Sequence, residues 1–235
     1  MKEEQLSGMI FNHCNVSLPS LERETIDGVR YYKIPHGDEL MKFVSITSVT
    51  SHHNKHIFEQ WRQKVGEEEA NKINKQATSR GTELHSIVEN YLLNIPELPE
   101  SSLISKHLFK IIRPELNKIN NIHALERSLY SKVLGIAGTV DCIAEYNNEL
   151  SIIDFKTSKK AKPLEWIEHY FVQAAAYACM FYELTNIPVK KLVIIMACED
   201  GECVVYEQYD KVKYIKLLKT YIEDFVNFKL KEYGK

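Results

Sequence analysis

The sequence predicts a mixed α/β fold: a central mixed sheet of four to five strands flanked by helices, preceded by a β-hairpin and a helical elaboration. Three observations carry this. Residues 124–133, 138–146 and 150–155 are consecutive runs of strand formers. A long helical stretch, 164–184, then separates them from two further runs, 189–197 and 203–209. A strand, a crossover helix and a returning strand make a parallel pair, so the sheet is mixed and its faces are covered by helices.

The elements follow in order. Residues 1–20 read as an irregular leader. Residues 21–26 and 29–34 flank Asp27-Gly28, a strong hairpin signal. Pro35-His36-Gly37-Asp38 reads as a loop, and 45–51 as a polar, β-branched stretch. A charged helix is expected over 56–76, with Phe58, Trp61 and Val65 at helical spacing; Phe58, Trp61 and the later Tyr91 read as core positions or as platforms for stacking bases. Gly81 is expected to break it. A second helix, 82–93, gathers Leu84, Ile87, Val88, Tyr91 and Leu92 on one stripe. A third, 102–120, contains Pro114, which predicts a kink. Pro163 opens the helix at 164–184, and 211–231 is a final amphipathic helix. The 235 residues are read as one domain over 1–235, with 1–75 an N-terminal elaboration and 76–235 the core.

The hairpin of residues 138–155 holds the densest chemistry. Asn147-Asn148 tolerates the positive φ of a two-residue turn. With that pair as the loop, Tyr146 faces Glu149, and counting outward sets Asp141 opposite Asp154. Facing Cβ atoms lie about 5 Å apart. Lys156 shares the face of Asp154, because side chains alternate with period two. Two like charges at that distance repel by roughly 3 kcal/mol at an effective dielectric of 20. Both stay ionised if a cation sits between them. A divalent metal beside an ammonium is the equipment of phosphodiester hydrolysis.

Further candidates are ambiguous one by one. Gly138 is either a close backbone approach or an ordinary bend. His85, at the border of its helical stripe, is either a half-buried surface residue or a metal ligand. Glu89, one turn on, is either its hydrogen-bond partner or a solvated charge. Gln173 and Tyr177, four apart on a helix, either orient a water or phosphate oxygen or are a polar helix shoulder. Glu126, unusual inside a strand, either completes the acidic cluster or is an edge charge. Lys156, Lys159, Lys160 and Lys162 form a basic run that contacts phosphates if a metal centre is adjacent.

Composition narrows the classes. Net charge is −2, so nucleic-acid binding, if present, comes from a local groove. No apolar run is long enough to span a membrane. No phosphate-binding G-x-x-x-x-G-K-[ST] motif occurs, so ATP is not expected. The N-terminus reads as neither signal nor transit peptide, so a cytoplasmic setting, bacterial or phage-infected, is expected. Five scattered cysteines without a C-x-x-C pair point to a reducing compartment and buried thiols.

Together, Gly81-Thr82-x-x-His85, Glu126, Gly138-Thr-Val-Asp141, Asp154-Phe-Lys156 and Gln173-x-x-x-Tyr177 resemble the PD-(D/E)XK nucleases, whose core is restriction-endonuclease-like. The RecB-like exonuclease branch is the closer resemblance. Tyr31-Tyr32-Lys-Ile-Pro35, Ser45-Ile-Thr-Ser-Val-Thr and Asp154-Phe-Lys-Thr-Ser158 extend it to the mitochondrial genome-maintenance group with its phage and bacterial relatives. The resemblance implies one or two Mg²⁺ or Mn²⁺ ions held by His85, Asp141, Asp154 and the Phe155 carbonyl, with Glu126 joining directly or through water. It implies that Lys156 orients the attacking water and that Gln173 and Tyr177 support the scissile phosphate. Arg80, Thr157, Lys159, Lys160, Tyr177 and Trp61 are the expected nucleic-acid contacts. The expected activity is metal-dependent hydrolysis of single-stranded DNA ends or flaps in replication, repair or recombination. The alternatives are a structure-selective endonuclease, a non-catalytic DNA-binding protein of the same fold, and a small-molecule metallohydrolase.

Overall fold

The computed structural model describes residues 9–233; the first eight residues of the expected leader lie outside the described residues. β1 (Arg23–Ile26) and β2 (Val29–His36) form the expected hairpin. Asp27 and Gly28 both take positive φ, +50° and +77°, which matches the twist of the flanking strands. The expected loop after β2 is instead a second tight turn. Gly37 (φ +60°) and Asp38 lead into β3 (Glu39–Ser45), with His36 paired to Glu39. Pro35 lies inside β2 but beyond the last residue paired with β1, so its missing N–H leaves no ladder bond unmade.

Ser45 then caps α1 (Ile46–His53), accepting the Ser48 N–H at 3.1 Å. Ile46, Val49 and Thr50 are buried at helical spacing, so the β-branched stretch is a strand end followed by a capped helix. α2 (Lys55–Val65) buries none of its residues, and Phe58 is 43% exposed rather than core. The expected helix break falls at Gly66, not Gly81. Gly66 has φ +94°, a backbone only glycine adopts readily. α3 (Glu67–Leu92) runs through Gly81 without interruption. A glycine in a helix costs about 1 kcal/mol relative to alanine. Burying Leu84, Ile87, Val88 and Leu92 outweighs that.

α4 (Leu103–Leu116) is capped by Ser102 and holds Pro114 in its last turn. It ends earlier than expected because β4 (Ile119–Ser131) begins there. β5 (Ile136–Tyr146) and β6 (Glu149–Ser158) form the counted hairpin, with Asn147 and Asn148 at φ +53° and +62° and Tyr146 facing Glu149. A short 3₁₀ turn, Leu164–Trp166, precedes α5 (Glu168–Thr185). β7 (Lys191–Cys198) pairs parallel with β6, completing the expected crossover. β8 (Cys203–Gln208) and α6 (Lys211–Tyr233) close the chain as expected.

The eight strands among the described residues form one mixed sheet in the order β1-β2-β3-β5-β6-β7-β8, with β4 also paired to β5. The N-terminal hairpin is therefore part of the sheet, which is larger than the four to five strands expected. The link is parallel pairing of Val44 and Ser45 in β3 with Ile136 and Ala137 in β5. Residues 9–20 are irregular but anchored: Phe11 is 2% exposed and exchanges two hydrogen bonds with Asn94. α1, α5 and α6 cover one face of the sheet, and α3 and α4 the other. All five cysteines are free; Cys142 and Cys198 are buried, and Cys14 is exposed.

Candidate metal centre

The site begins with an edge shared between two strands. β3 pairs with β5 at Ile136 and Ala137, and β6 pairs with β5 from Cys142 to Tyr146. Between them, residues 138–141 of β5 have no ladder partner on that edge. The counted register holds as far as Cys142 facing Ile153 and stops one step before Asp141 and Asp154. Asp141 takes the Phe155 N–H onto its Oδ2 at 2.9 Å instead.

A slip in side-chain alternation accompanies this fork. Val140 and Ile143 both pack on the α5 side, whereas Cys142 and Ala144 pack on the α3 side. Strict alternation would put Val140 with Cys142, so the slip falls at Asp141. β4 slips opposite it. Leu125 packs on the α3 side and Leu129 on the α5 side, and between them Glu126 has φ +48°. A left-handed backbone costs a glutamate about 1–3 kcal/mol and persists where surrounding structure imposes it. The pairs Leu125–Cys142 and Arg127–Val140 place Glu126 opposite Asp141.

α3 brings the third group. His85 Nε2 lies 2.9 Å from the Phe155 carbonyl and 3.7 Å from Asp141 Oδ2, and its Nδ1 lies 3.5 Å from Glu126 Oε1. One donor atom from each of His85, Glu126 and Asp141 falls within a 4.8 Å set. Burial works against a charged imidazole, but the Asp141 and Glu126 carboxylates outweigh it and hold the ring up at about 9. Glu89, a turn further along α3, is pushed up by burial and by Glu126.

Asp154 stands beside this set rather than in it. Lys156 Nζ lies 2.6 Å from Asp154 Oδ2, so this buried carboxylate is paired with the ammonium. Burial and the Asp141 charge raise the Asp154 carboxyl, with Lys156 opposing. Burial disfavours the Lys156 ammonium, but Asp154 and Asp141 more than compensate, so it stays charged. The His85 imidazole, the Glu126 and Asp141 carboxylates and the Phe155 carbonyl, with the Asp154 carboxylate beside them, form a donor set that fits a hard divalent cation.

α5 forms the opposite wall. Gln173 Nε2 donates to the Tyr177 hydroxyl at 3.3 Å, and Tyr177 is 1% exposed. Tyr177 therefore supports Gln173 from inside and offers no surface to a strand. Gly138 packs against Tyr177, so the close-approach reading of that glycine is the one realised. Lys156 Nζ sits 5.0 Å from the Tyr170 ring centroid, a neighbour with no signal in the sequence. Arg80 Nη1 is tied to Glu199 at 2.8 Å, at the β7–β8 turn, which occupies it with fixing α3 over the sheet. Thr157 is half-buried, Lys159 and Lys160 are exposed just past β6, and Trp61 lies out on α2, 5.4 Å from Phe58. A cleft of about 450 Å³ between α1, α2 and α5 opens beside Tyr170 and Gln173. A wider one of about 720 Å³ shares Thr47, Ser51 and Lys55 with it but contains none of the cluster.

A helix-flanked mixed sheet that forks around carboxylates, a histidine and a charged lysine defines a restriction-endonuclease-like α/β protein. The chain belongs to the PD-(D/E)XK nuclease superfamily, whose profile matches residues 58–227. It is 28% identical over 156 residues to human mitochondrial genome maintenance exonuclease 1, covering 62% of this chain and 45% of that protein. The Xenopus tropicalis protein of the same name is 31% identical over 156 residues, covering 61% and 44%. The chain thus spans under half the length of these curated relatives. A crystal structure from Eubacterium rectale overlaps loosely, with a TM-score of 0.48 and 14% identity over 66% of each chain.

Proposed function

We propose that this protein is a divalent-metal-dependent nuclease that hydrolyses phosphodiester bonds of DNA at single-stranded ends or flaps. The observation that carries this reading is the convergence of His85, Glu126 and Asp141 within 4.8 Å, next to the Asp154–Lys156 pair. His85, Asp141, Glu126, Asp154 and the Phe155 carbonyl hold Mg²⁺ or Mn²⁺. The ion, when bound, supplies positive charge at the phosphoryl group and makes water acidic enough to serve as nucleophile near neutral pH. The protein's own groups do the rest. Lys156, kept charged by two aspartates, orients the attacking water and faces the negative charge that builds on the phosphate oxygens. Gln173, braced by Tyr177, fixes a phosphate oxygen or water. The names of the curated relatives, both exonucleases, support end-directed cutting.

The test is hydrolysis of end-labelled flap, linear and circular DNA with Mg²⁺ or Mn²⁺. Cleavage that needs a free end and drops about 10²–10³-fold in Lys156→Ala is expected, the size of losing one charge-stabilising group. Cleavage of closed single-stranded circles would replace the end-directed reading with an endonuclease. Undiminished cleavage by the variant would remove Lys156 from the mechanism.

A further inference from the structure

We propose that the cleft between α1, α2 and α5 seats the nucleotide next to the scissile phosphate of a single DNA strand, with Lys55 on its phosphate and Phe58 stacked on its base. This rests on the nuclease reading above and extends it to the path of the strand. The cleft adjoins the cluster: Gln173 and Tyr170 line it, and Lys156 Nζ stands 5.0 Å from the Tyr170 ring. Its volume of about 450 Å³ lies within the range of small-ligand sites.

Charge matches a phosphate. None of the described residues lining the cleft is a carboxylate. Lys55 lies at its α2 wall, and its contact with Glu59, 3.8 Å between two exposed side chains, binds it only weakly. Lys162 joins Lys156 over the Tyr170 ring, at 6.0 Å. Burial and the charges of Lys162 and Lys156 push the neighbouring His169 down to about 4, so that ring stays neutral while the lysines set the local field. Asn54, also lining the cleft, adds amide hydrogen-bonding groups.

The aromatics match a base. Phe58 is 43% exposed on a helix that buries none of its residues, so core packing does not account for it. Tyr170 faces the same cleft and is half-buried. Every base has a π-face, so such platforms hold a strand without reading its sequence.

The experiment is fluorescence anisotropy of wild type, Lys55→Ala and Phe58→Ala with short labelled oligothymidylate in EDTA, over a range of salt. Matching thermal midpoints confirm that the variants fold. Phe58→Ala is expected to weaken binding about tenfold, and to leave affinity for an abasic strand of the same length unchanged. Lys55→Ala is expected to flatten the dependence of log Kd on log salt by about 0.7, one phosphate contact on a single strand. Wild-type affinity and salt slope in both variants would overturn the placement while leaving the nuclease reading intact. A wild-type protein that neither binds nor cuts any strand would overturn that reading and this one with it.

Discussion

A Cβ on Gly138 would lie 2.7 Å from Tyr177 Cε1, 2.9 Å from its hydroxyl and 3.0 Å from Ile46 Cγ2. Tyr177 is 1% exposed, so it has nowhere to retreat without moving α5. Gly138→Ala is therefore expected to cost about 1–3 kcal/mol, the usual penalty of overpacking. Denaturant melts measure it, and an unchanged midpoint would mean that the contact is slack. Single residues of this kind were partly legible in the sequence. Asp154 and Lys156 stand out as charges at a strand end, and Asp141 and Glu126 as acids inside strands. Their geometry was not legible. Period-two reasoning puts Asp141 and Asp154 on one face, and it has no means of seeing a slip at Asp141 matched by a left-handed Glu126. Arg80 reads as a phosphate contact until its partner Glu199, distant in sequence, is in view.

At the scale of elements, the site depends on how α3 is held, because α3 carries His85. Two residues before it, Glu83 takes the Ser102 N–H at 2.8 Å and the Ser102 hydroxyl, which ties α3 to the start of α4. Those hydrogen bonds hold the Glu83 carboxyl down at about 2. An unfolded glutamate titrates near about 4.3. The tie is thus fully present above that pH and is lost as pH falls through about 2. Thermal melts should show wild type losing its advantage over Glu83→Gln between those limits; parallel pH profiles would contradict the tie. Elements are legible in the sequence wherever local chemistry decides. Asp27-Gly28 and Asn147-Asn148 set two hairpins, and the second set its register correctly as far as Cys142. Legibility ends where two local signals compete. Gly66 and Gly81 look alike in sequence, but only Gly66 takes positive φ, while tertiary packing carries the helix through Gly81. Ser45 to Thr50 is β-branched and also an N-cap with helical spacing, and the cap prevails.

At the scale of the molecule, the first strands are joined to the core rather than laid beside it. Tyr32 is 1% exposed and its hydroxyl meets Thr139 Oγ1 at 3.0 Å, two residues from Asp141. A single cooperative unfolding transition is expected for the whole chain, and deletion of residues 1–45 is expected to abolish it by stripping Ile136 and Ala137 of their partners. Calorimetry of the truncated protein checks this; a retained transition would make the N-terminal strands a dispensable elaboration. Helix order after β4 was legible from periodicity, whereas the joining of β3 to β5 was not, because a parallel contact of two residues leaves no sequence pattern. The proposed role of His85, Glu126 and Asp141 is to hold a divalent ion that drives phosphodiester hydrolysis. It is tested most directly by the rate of release from end-labelled single-stranded DNA in Mn²⁺, comparing wild type with a folded Asp141→Asn protein. Cleavage by wild type that EDTA abolishes and a loss of at least about 10²-fold in the variant are expected; equal rates in the variant, or cleavage that persists in EDTA, would contradict that role.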